Sequence, residues 1–528
     1  MLLKLQEFIF GRNPKRRELF GYQPDTTAKP YRIQVFRNHS FEFVEHTISA
    51  YLDYASLAVV FSYSGYDDSF SFADLDPAAD MLIVWVDGKR YGGTALQTFL
   101  PERIAALKQV YQKPVLVVTF RSDVSIALPD VAVWNLSELE RTLGDQLIDE
   151  RVATATGTSL SSKAMLRISR ELGLRWIPAL LRPALKGVVV DFDNTLYQGV
   201  LGEDGIDGVV LTEGHMCLQK KLKKLAEQGF FLCAVSKNET EDVLELLEKR
   251  TDFPLKKEDF TKLCISWKPK AESISEIVSY LNIHADALVF VDDNIGELTA
   301  VQMVFPSIKL IHAKENAGIT CEVLENFPGL MKTKITQDDA IRKADMQTKE
   351  KRLHLQKTLS QADYVRSLQL HLRYDIDNQK QITRVSELAN KTNQFIFNYK
   401  RYTQSQVAQL MESKDSIVLT LSLSDRLSDS GLVGVLVGIR EEDHLVLEEC
   451  FVSCRALGRG IDEIMVLYAI QIMLDRFRVS KLQVLFNKGP RNAPAEKIVK
   501  EKLAKYCSQV EQFQYKLPQG LLTVEVKD

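Results

Sequence analysis

Three apolar runs in the middle of the chain, each ending on polar residues, constrain its fold more than any other feature. They read KGVVVDF, GFFLCAVS and DALVFVDD, and charged amphipathic segments such as LQKKLKKLAEQ and TEDVLELLEKR separate them. Short apolar runs that alternate with helical patterns predict a parallel sheet with crossover helices. Ligands bind beyond the carboxyl ends of such strands, so we expect Asp191, Ser236 and Asp293 to converge on one site.

A similar alternation precedes this stretch, and a different pattern follows it. Five apolar runs lie between Tyr31 and Leu136, in the segments YRIQVF, LAVVFSY, MLIVWV, PVLVVTF and VAVWNL. They predict another parallel sheet with crossover helices. From residue 368 onward, strands and helices mix in a way that predicts an α+β domain around a partly antiparallel sheet.

The expected fold class is therefore α/β and multidomain. The length of 528 residues agrees with three domains of ordinary size, which we place at residues 1–184, 185–334 and 368–528. The polar stretch 335–367, which contains the charge run RKADMQTKEKR, is predicted to be a solvated helical linker.

Composition and charge exclude several classes of protein. The chain is 45% hydrophobic and 26% charged, as folded globular domains are. Lys plus Arg number 67 against 70 for Asp plus Glu, so the net charge of -3 supplies no field that would attract nucleic acid or an anionic membrane. With no run of 18 apolar residues and no signal peptide, we expect a cytoplasmic protein. The seven cysteines form no CxxC pair, which favours a reducing compartment over structural zinc.

The segment DFDNTLYQGVLGEDG, which begins at Asp191, places two carboxylates two residues apart directly after the first central strand. At this spacing strand side chains point to the same side, so Asp191 and Asp193 share one site if the chain turns there. Mg²⁺ prefers oxygen ligands and commonly takes one or two carboxylates together with a substrate phosphate. The pair therefore predicts a magnesium site in which the second carboxylate can serve as acid and base.

Further polar residues follow in a fixed order. Ser236 ends the second central strand, Lys270 precedes a helix in WKPKAES, and Asp292 and Asp293 end the third strand. This order resembles the haloacid dehalogenase-like phosphatase superfamily, whose domains are Rossmann-like. The resemblance implies that Asp293 is a ligand of the metal and that Asp292 supports this ligand rather than binding directly.

The same resemblance implies roles for the other residues. Asp191 would be the nucleophile that forms an aspartyl-phosphate, and Asp193 the acid that protonates the leaving group and then activates water. Ser236 would hydrogen-bond the transferring phosphoryl group, and Lys270 would neutralise charge on its oxygens. Asp191, the main-chain carbonyl of Asp193 and Asp293 would hold the Mg²⁺ ion.

A closer resemblance is to the FkbH-like proteins, a branch of that superfamily. It rests on the ordered motifs DFDNTLYQGVLGEDG, SKNE, WKPKAESI, VFVDDN, KTNQF, YKRYT, GLVGV and SCRALGRG, which span Asp191 to Gly460, about half the chain. Such proteins take a glyceryl group from a phosphorylated three-carbon metabolite, move it to an acyl carrier protein and remove phosphate. The resemblance therefore implies a small phosphorylated metabolite and an acyl carrier protein as partners, in polyketide or related biosynthesis.

The chain departs from the FkbH-like pattern at two places. It has Tyr197, Gln198 and Gly199 where many relatives read W-GG. Many relatives also carry cysteine directly before the strand-end serine, where this chain has Val235. Cys233 is interpreted as a small buried apolar side chain, so we expect no thioester on the enzyme.

A second motif, RALGRG, runs from Arg455 to Gly460 and matches the R/Q-x-x-G-x-G/A loop of GNAT acyltransferases. The resemblance implies that the main-chain N–H groups of this loop and the N-terminus of the next helix receive the pyrophosphate of acyl-CoA. A C-terminal α+β GNAT-like domain is therefore expected, with CoA or acyl-CoA bound at Arg455, Gly458 and Gly460. The KTNQF and YKRYT segments are expected to line its acceptor groove.

The first domain resembles a degenerate SGNH-hydrolase or flavodoxin-like sheet. Its first strand runs into FRNHS, without the Gly-Asp-Ser turn of such hydrolases, and no Asp-x-x-His pair follows. His39 and Ser40 are its candidate catalytic residues, but the sequence favours a structural or carrier-docking role.

The main functional hypothesis is a Mg²⁺-dependent phosphatase or acyl-phosphate-processing enzyme that acts through an aspartyl-phosphate. Two alternatives stay open. GNAT-type N-acylation would be marked by binding of acyl-CoA. A non-catalytic scaffold of a biosynthetic cluster would be marked by the absence of Mg²⁺ and phosphate binding near Asp191.

Overall fold

The computed structural model describes residues 2–25, 28–92, 95–333, 345, 348–392, 394–489, 491–518 and 520–527. The chain divides into two compact units. The first comprises Met1–Ile277 and His284–Ile335, and the second comprises Val278–Ile283 and Thr336–Asp528. In the predicted helical linker, residues 335–344, 346 and 347 lie outside the described residues.

The first unit contains two parallel sheets of five strands each. The first sheet consists of β1 (Tyr31–Arg37), β2 (Val59–Tyr66), β3 (Met81–Asp87), β4 (Val115–Phe120) and β5 (Val131–Asn135). The order is β2-β1-β3-β4-β5, which is the flavodoxin-like order, and all neighbours are parallel. Strands β3 and β4 are buried along their whole length, as central strands of a helix-covered parallel sheet are. The predicted parallel sheet is confirmed.

The second sheet carries the polar strand ends that the sequence singles out. Its strands are β6 (Gly187–Val190), β7 (Phe231–Ser236), β8 (Lys262–Ile265), β9 (Leu288–Asp292) and β10 (Lys309–His312). They are parallel and lie in the order β10-β9-β6-β7-β8. The three central apolar runs are therefore adjacent strands, and β6 lies between the other two.

The second unit contains one mixed sheet. Its strands are β11 (His371–Ile376), β12 (Ser416–Ser424), β13 (Asp429–Glu441), β14 (His444–Val452), β15 (Lys481–Val484), β16 (Glu511–Gln512) and β17 (Thr523–Lys527). The order is β16-β15-β14-β13-β12-β11-β17, with β14/β15 and β11/β17 parallel and the other neighbours antiparallel. This confirms the partly antiparallel α+β arrangement, while its GNAT-like identity stays a prediction.

Helices separate most of these strands. The described α-helices are Leu2–Gln6, Arg16–Phe20, Glu42–Tyr54, Ala95–Val110, Ser137–Leu143, Ala153–Thr156, Ser162–Glu171, Ile177–Leu181, Leu201–Gly208, Glu213–Glu227, Thr240–Lys249, Lys270–Leu281, Ile295–Val304, Ala317–Glu325, Lys349–Thr358, Gln361–Leu368, Ile382–Lys391, Gln404–Glu412, Asp462–Phe477, Ala493–Ile498 and Ala504–Ser508. In the part of the chain that the structure describes, none of them is long and apolar enough to span a membrane.

The N-terminal segment, residues 2–11, packs against the second sheet. Leu5, Ile9 and Phe10 are buried in the same apolar cluster as Val190 and Val291, which lie in the centre of that sheet. Burying a large apolar side chain contributes about 1.5–3 kcal/mol relative to its exposure to water. These contacts hold residues 5–10 against the second sheet of the first unit.

Cys217 and Cys321 form a disulfide across a separation of 104 residues. The bond joins the helices Glu213–Glu227 and Ala317–Glu325, which pack side by side. This differs from the expectation of a reducing compartment. The physical reason is that short-range cysteine spacing carries no information about two helices that meet in space.

Candidate active site

The carboxyl end of the second sheet brings three acidic side chains together. Asp191 directly follows β6, the central strand. Asp292 is the last residue of β9, and Asp293 follows it. One carboxylate oxygen of each of these residues lies within 4.8 Å of those of the other two. The chain thus forms an acidic triad that could hold a metal ion.

Lys270 contacts two members of the triad. It is the first residue of the helix Lys270–Leu281 and is 5% exposed. Its Nζ donates to Asp191 Oδ2 at 2.7 Å and to Asp292 Oδ2 at 2.6 Å. The other oxygen of Asp292 accepts the main-chain N–H of Asn294 at 2.8 Å. Both oxygens of Asp292 therefore have protein donors, which agrees with a supporting role for this residue.

The charges of this cluster do not balance among the described residues. When all three carboxylates are ionised they face one ammonium group, which leaves two negative charges in excess. Burial raises the pKa of Asp191 and of Asp293 above the ordinary value, and Lys270 opposes this shift. Uncompensated carboxylates are costly in a protein interior. A donor set made of oxygen alone, with this excess charge, fits a hard divalent cation such as Mg²⁺, which Asp191 and Asp293 would hold.

Asp193 is oriented by hydrogen bonds and is not a member of the triad. Its Oδ1 accepts the Tyr197 hydroxyl at 2.7 Å and the main-chain N–H of Leu201 at 3.0 Å. Its Oδ2 accepts Asn238 Nδ2 at 2.9 Å. Asn238 Nδ2 also donates to Ser236 Oγ at 2.9 Å. Asn238 thereby links the two polar side chains that the sequence predicts to act on the phosphoryl group.

Tyr197 and Asn238 were not identified as functional residues from the sequence. Tyr197 is completely buried, and burial together with Asp193 raises the pKa of its hydroxyl, which stays protonated and can donate. Their positions carried a usable signal: Asn238 lies two residues after Ser236, and Tyr197 lies four residues after Asp193, in the turn that follows β6.

His39 and Ser40, the candidate residues of the first domain, are not arranged as a catalytic pair. Ser40 Oγ donates to Glu42 Oε2 at 2.5 Å. The His39 ring stacks on Trp85 with centroids 4.8 Å apart, and its Nδ1 lies 3.0 Å from Thr158 Oγ1. Burial lowers the pKa of His39 to about 3, so the ring is neutral. The structural or docking role of this domain stays a prediction.

The RALGRG loop lies between β14 and the helix Asp462–Phe477. Gly458 and Gly460 have φ values of +80° and +79°, in the region that favours glycine. Arg455 is 8% exposed. The main-chain N–H of Gly458 donates to both carboxylate oxygens of Asp462, at 3.2 Å each. A side chain of the protein therefore accepts an N–H group that was expected to receive pyrophosphate.

A segment of the second unit lies beside the end of β14. The parallel pairing of β14 with β15 covers residues 444–447, whereas β14 continues to Val452. Beyond this pairing, Val452 N donates to Phe395 O at 3.0 Å and Phe397 N donates to Cys450 O at 3.0 Å. Asn487 N, after β15, donates to Phe397 O at 2.8 Å. The end of the KTNQF motif therefore fills the gap between two strands instead of lining an open groove.

Cys233 lies inside β7 and is completely buried. Burial raises the pKa of its thiol well above the ordinary value. Val235, on the same strand, is also completely buried. A reactive cysteine needs access and an electropositive setting, so Cys233 is not placed to act as a nucleophile.

No family model matches the chain, and no curated protein matches it. Among solved structures, one similar chain is the N-terminal part of the protein BF1531 from Bacteroides fragilis, described as containing a phosphatase domain complexed with Mg. It shares 18% identity with a TM-score of 0.45, and the match covers 63% of this chain and 99% of that one. A HAD family enzyme from Bacteroides thetaiotaomicron, in a magnesium complex, shares 15% identity with a TM-score of 0.20, over 25% of this chain and 94% of that one.

A third similar structure is the GCN5-related glucosamine N-acetyltransferase region of a fungal multi-domain GH3 beta-N-acetylglucosaminidase. It shares 10% identity with a TM-score of 0.19, over 88% of this chain and 61% of that one. Because all three TM-scores are below 0.5, these likenesses carry no inference about this chain.

Proposed function

We propose that the chain is a Mg²⁺-dependent phosphatase or phosphoryl-transfer enzyme that forms an aspartyl-phosphate on Asp191. The observation that carries this proposal is the contact of buried Lys270 with both Asp191 and Asp292, beside Asp293. Phosphoryl transfer is catalysed mainly by positioning and by neutralising charge on the phosphoryl oxygens. A fixed ammonium group next to a carboxylate and an acidic metal site supplies both.

In the first step, an oxygen of Asp191 attacks the phosphorus of the substrate, and the bond from phosphorus to the leaving oxygen breaks. Lys270 donates to Asp191 and to a phosphoryl oxygen, which positions the nucleophile. Asp193, held by Tyr197 and Asn238, gives its proton to the leaving oxygen. When bound at Asp191 and Asp293, Mg²⁺ would supply further neutralisation of phosphoryl charge.

In the second step, water attacks the phosphorus of the aspartyl-phosphate, and the bond from phosphorus to Asp191 breaks. Asp193, now ionised, accepts the proton of this water, so the same residue is acid and then base. Ser236 donates its hydroxyl to a phosphoryl oxygen, while Asn238 keeps it next to Asp193. Inorganic phosphate leaves, and Asp191 is restored.

We extend the proposal to a small phosphorylated metabolite whose three-carbon acyl group passes to an acyl carrier protein. The support for this part is the FkbH-like resemblance between Asp191 and Gly460. Because Cys233 is completely buried, the acyl group would pass directly to the thiol of the carrier rather than through a thioester on this enzyme.

Neither alternative function is part of the proposal. For CoA to bind the RALGRG loop, Asp462 would have to release the Gly458 N–H, and the segment around Phe397 would have to leave the gap beside β14. A scaffold, in turn, would have no need to place three carboxylates, two of them buried, around Lys270, since uncompensated buried charge lowers stability.

Hydrolysis of acetyl phosphate or an aryl phosphate by the purified 528-residue chain tests the proposal. We expect phosphate release that requires Mg²⁺ and stops in EDTA. Asp191→Asn should lower turnover by on the order of 10⁴-fold or more and should abolish the phosphoenzyme that acid quenching traps and hydroxylamine cleaves. The matched control is Asp252→Asn, because the Asp252 side chain is 48% exposed. Turnover of Asp191→Asn at the rate of this control would overturn the proposal.

A further inference from the structure

The N-terminal segment contacts the second sheet at its edge. Strand β10 is an edge strand, and His312 is its last residue. The side-chain amide of Gln6, 1% exposed, bonds to both main-chain groups of His312. Gln6 Nε2 donates to His312 O at 2.8 Å, and His312 N donates to Gln6 Oε1 at 3.1 Å. At this residue a side-chain amide takes the place of a neighbouring strand and satisfies main-chain groups that the edge leaves unpaired.

The His312 ring extends this contact to Asp293. Its Nε2 lies 2.9 Å from the main-chain O of Asp293, and its Nδ1 lies 3.2 Å from Lys314 Nζ. A carbonyl oxygen accepts and an ammonium group donates, so Nε2 carries the proton and Nδ1 is the acceptor. Lys314 Nζ in turn lies 2.9 Å from Glu7 Oε2. Two consecutive residues, Gln6 and Glu7, therefore hold His312 through its main chain and its ring.

The peptide group that follows Asp293 is held on both sides. Its carbonyl accepts from His312, and its N–H, which belongs to Asn294, donates to Asp292 Oδ1 at 2.8 Å. Since Asp293 directly follows the last residue of β9, a fixed peptide plane on its other side restricts rotation of its main chain and so restricts the direction of its side chain. A metal site made by Asp293 and Asp191 requires such support, because residues that hydrogen-bond the ligands orient them.

We infer that Gln6 and His312 are positioning residues of the cation site, so that residues 2–11 act as part of the domain that binds the cation. This inference rests on the proposed function in one respect, namely that Asp293 holds a divalent cation. A purely apolar anchor would be provided by Leu5 and Ile9 alone, which lie in the core of the second domain. Such an anchor does not require a buried amide aimed at the strand next to Asp293.

Direct measurement of cation binding to the full chain tests this inference, with Mg²⁺ followed by titration calorimetry and Mn²⁺ by electron paramagnetic resonance. Loss of a residue that orients a metal ligand commonly lowers affinity by about 10–100-fold. We expect a loss in this range for His312→Leu and about 10-fold for Gln6→Leu. His312→Gln keeps a side-chain N–H donor and should recover part of the loss. Because the positioning acts on the cation, kcat at saturating Mg²⁺ should change less than the Mg²⁺ requirement.

Lys4→Ala is the matched control, since Lys4 lies in the same helix and is exposed. Thermal unfolding identifies the variants that keep the fold. If His312→Leu does not fold, the cation affinities of His312→Gln and Gln6→Leu decide the test. Equal cation affinity in the folded variants and the Lys4→Ala control would overturn the inference, as would the absence of cation binding by the unmodified protein. Cation binding that depends on Gln6 but is accompanied by no phosphatase turnover would support the inference and overturn the proposed function.

Discussion

Replacement of Lys270 by methionine tests the charge balance of the candidate site. Methionine keeps much of the apolar stem and removes the ammonium group that contacts Asp191 at 2.7 Å and Asp292 at 2.6 Å. Removing one partner of a buried ion pair costs about 3–5 kcal/mol, because the remaining charge is left unpaired. Lys270 is 5% exposed, so water does not screen this loss appreciably.

Thermal unfolding of the full chain in EDTA measures this loss. With an unfolding entropy near 2.1 cal/mol/K per residue, the loss lowers the midpoint of a unit of this size by roughly 4–7 °C. Lys268→Met is the matched control, because Lys268 is an exposed neighbour. Adding Asp292→Asn to Lys270→Met removes one unpaired charge and keeps an oxygen for the Asn294 N–H, so the double variant should recover most of the loss. Equal midpoints for Lys270→Met and Lys268→Met would refute this account of the site.

Four further predictions concern other residues. Tyr197→Phe removes one hydrogen bond to Asp193. If this lowers transition-state stabilisation by about 1–1.5 kcal/mol, phosphate release should be about 10-fold slower while the Mg²⁺ affinity is unchanged. An unchanged rate would contradict the orienting role of Tyr197. Burial lowers the pKa of His39 to about 3. Between about pH 6.5 and pH 3 the unfolded chain therefore binds a proton at this ring that the folded chain does not. The contribution of the neutral ring to stability is present above about pH 6.5 and is lost as the pH falls towards 3. His39→Gln should therefore flatten the dependence of the unfolding midpoint on pH in this range, and an unchanged slope would show that the ring titrates normally. Incubation with a glyceryl phosphate donor should give no hydroxylamine-sensitive adduct at Cys233 by intact-protein mass spectrometry, and an adduct that Cys233→Ala removes would be the opposite result. Calorimetry should detect no CoA binding to the full chain, whereas binding that Gly458→Val abolishes would return acyl transfer to consideration.

Local sequence pattern was sufficient to predict three of the five strands of the second sheet, β6, β7 and β9, and the acidic residues at their ends, but not β8 or β10. The apolar runs before Asp191 and Asp292 are the adjacent buried strands β6 and β9, and the ends of parallel strands meet at one edge of a sheet. The hydrogen bonds around them could not be predicted in this way. Gln6 and His312 are 306 residues apart, and no periodicity of 2 or 3.6 residues encodes such a contact.

The second unit shows the same limit. The RALGRG motif predicted glycines ahead of a helix, and the structure has Gly458 and Gly460 with positive φ before the helix Asp462–Phe477. The motif contained no information on the Asp462 carboxylate that accepts the Gly458 N–H, or on the segment around Phe397 that pairs with β14. Both contacts depend on the tertiary structure, and a sequence motif does not specify which carboxylate or which segment forms them.

The packing of the N-terminal segment on the second domain affects the order in which the chain can fold during synthesis. Ile9 and Phe10 leave the ribosome long before β10, since Gln6 and His312 are 306 residues apart. At about 5–20 residues per second, translation of that interval takes roughly 15–60 s. During this time the apolar side chains of the segment have only part of their native surroundings, because Phe10 can contact Tyr54, which is made early, but not Val291. Contacts of such long range also form slowly. The nascent chain therefore passes through a state in which this segment has only part of its native contacts, which favours aggregation or capture by chaperones.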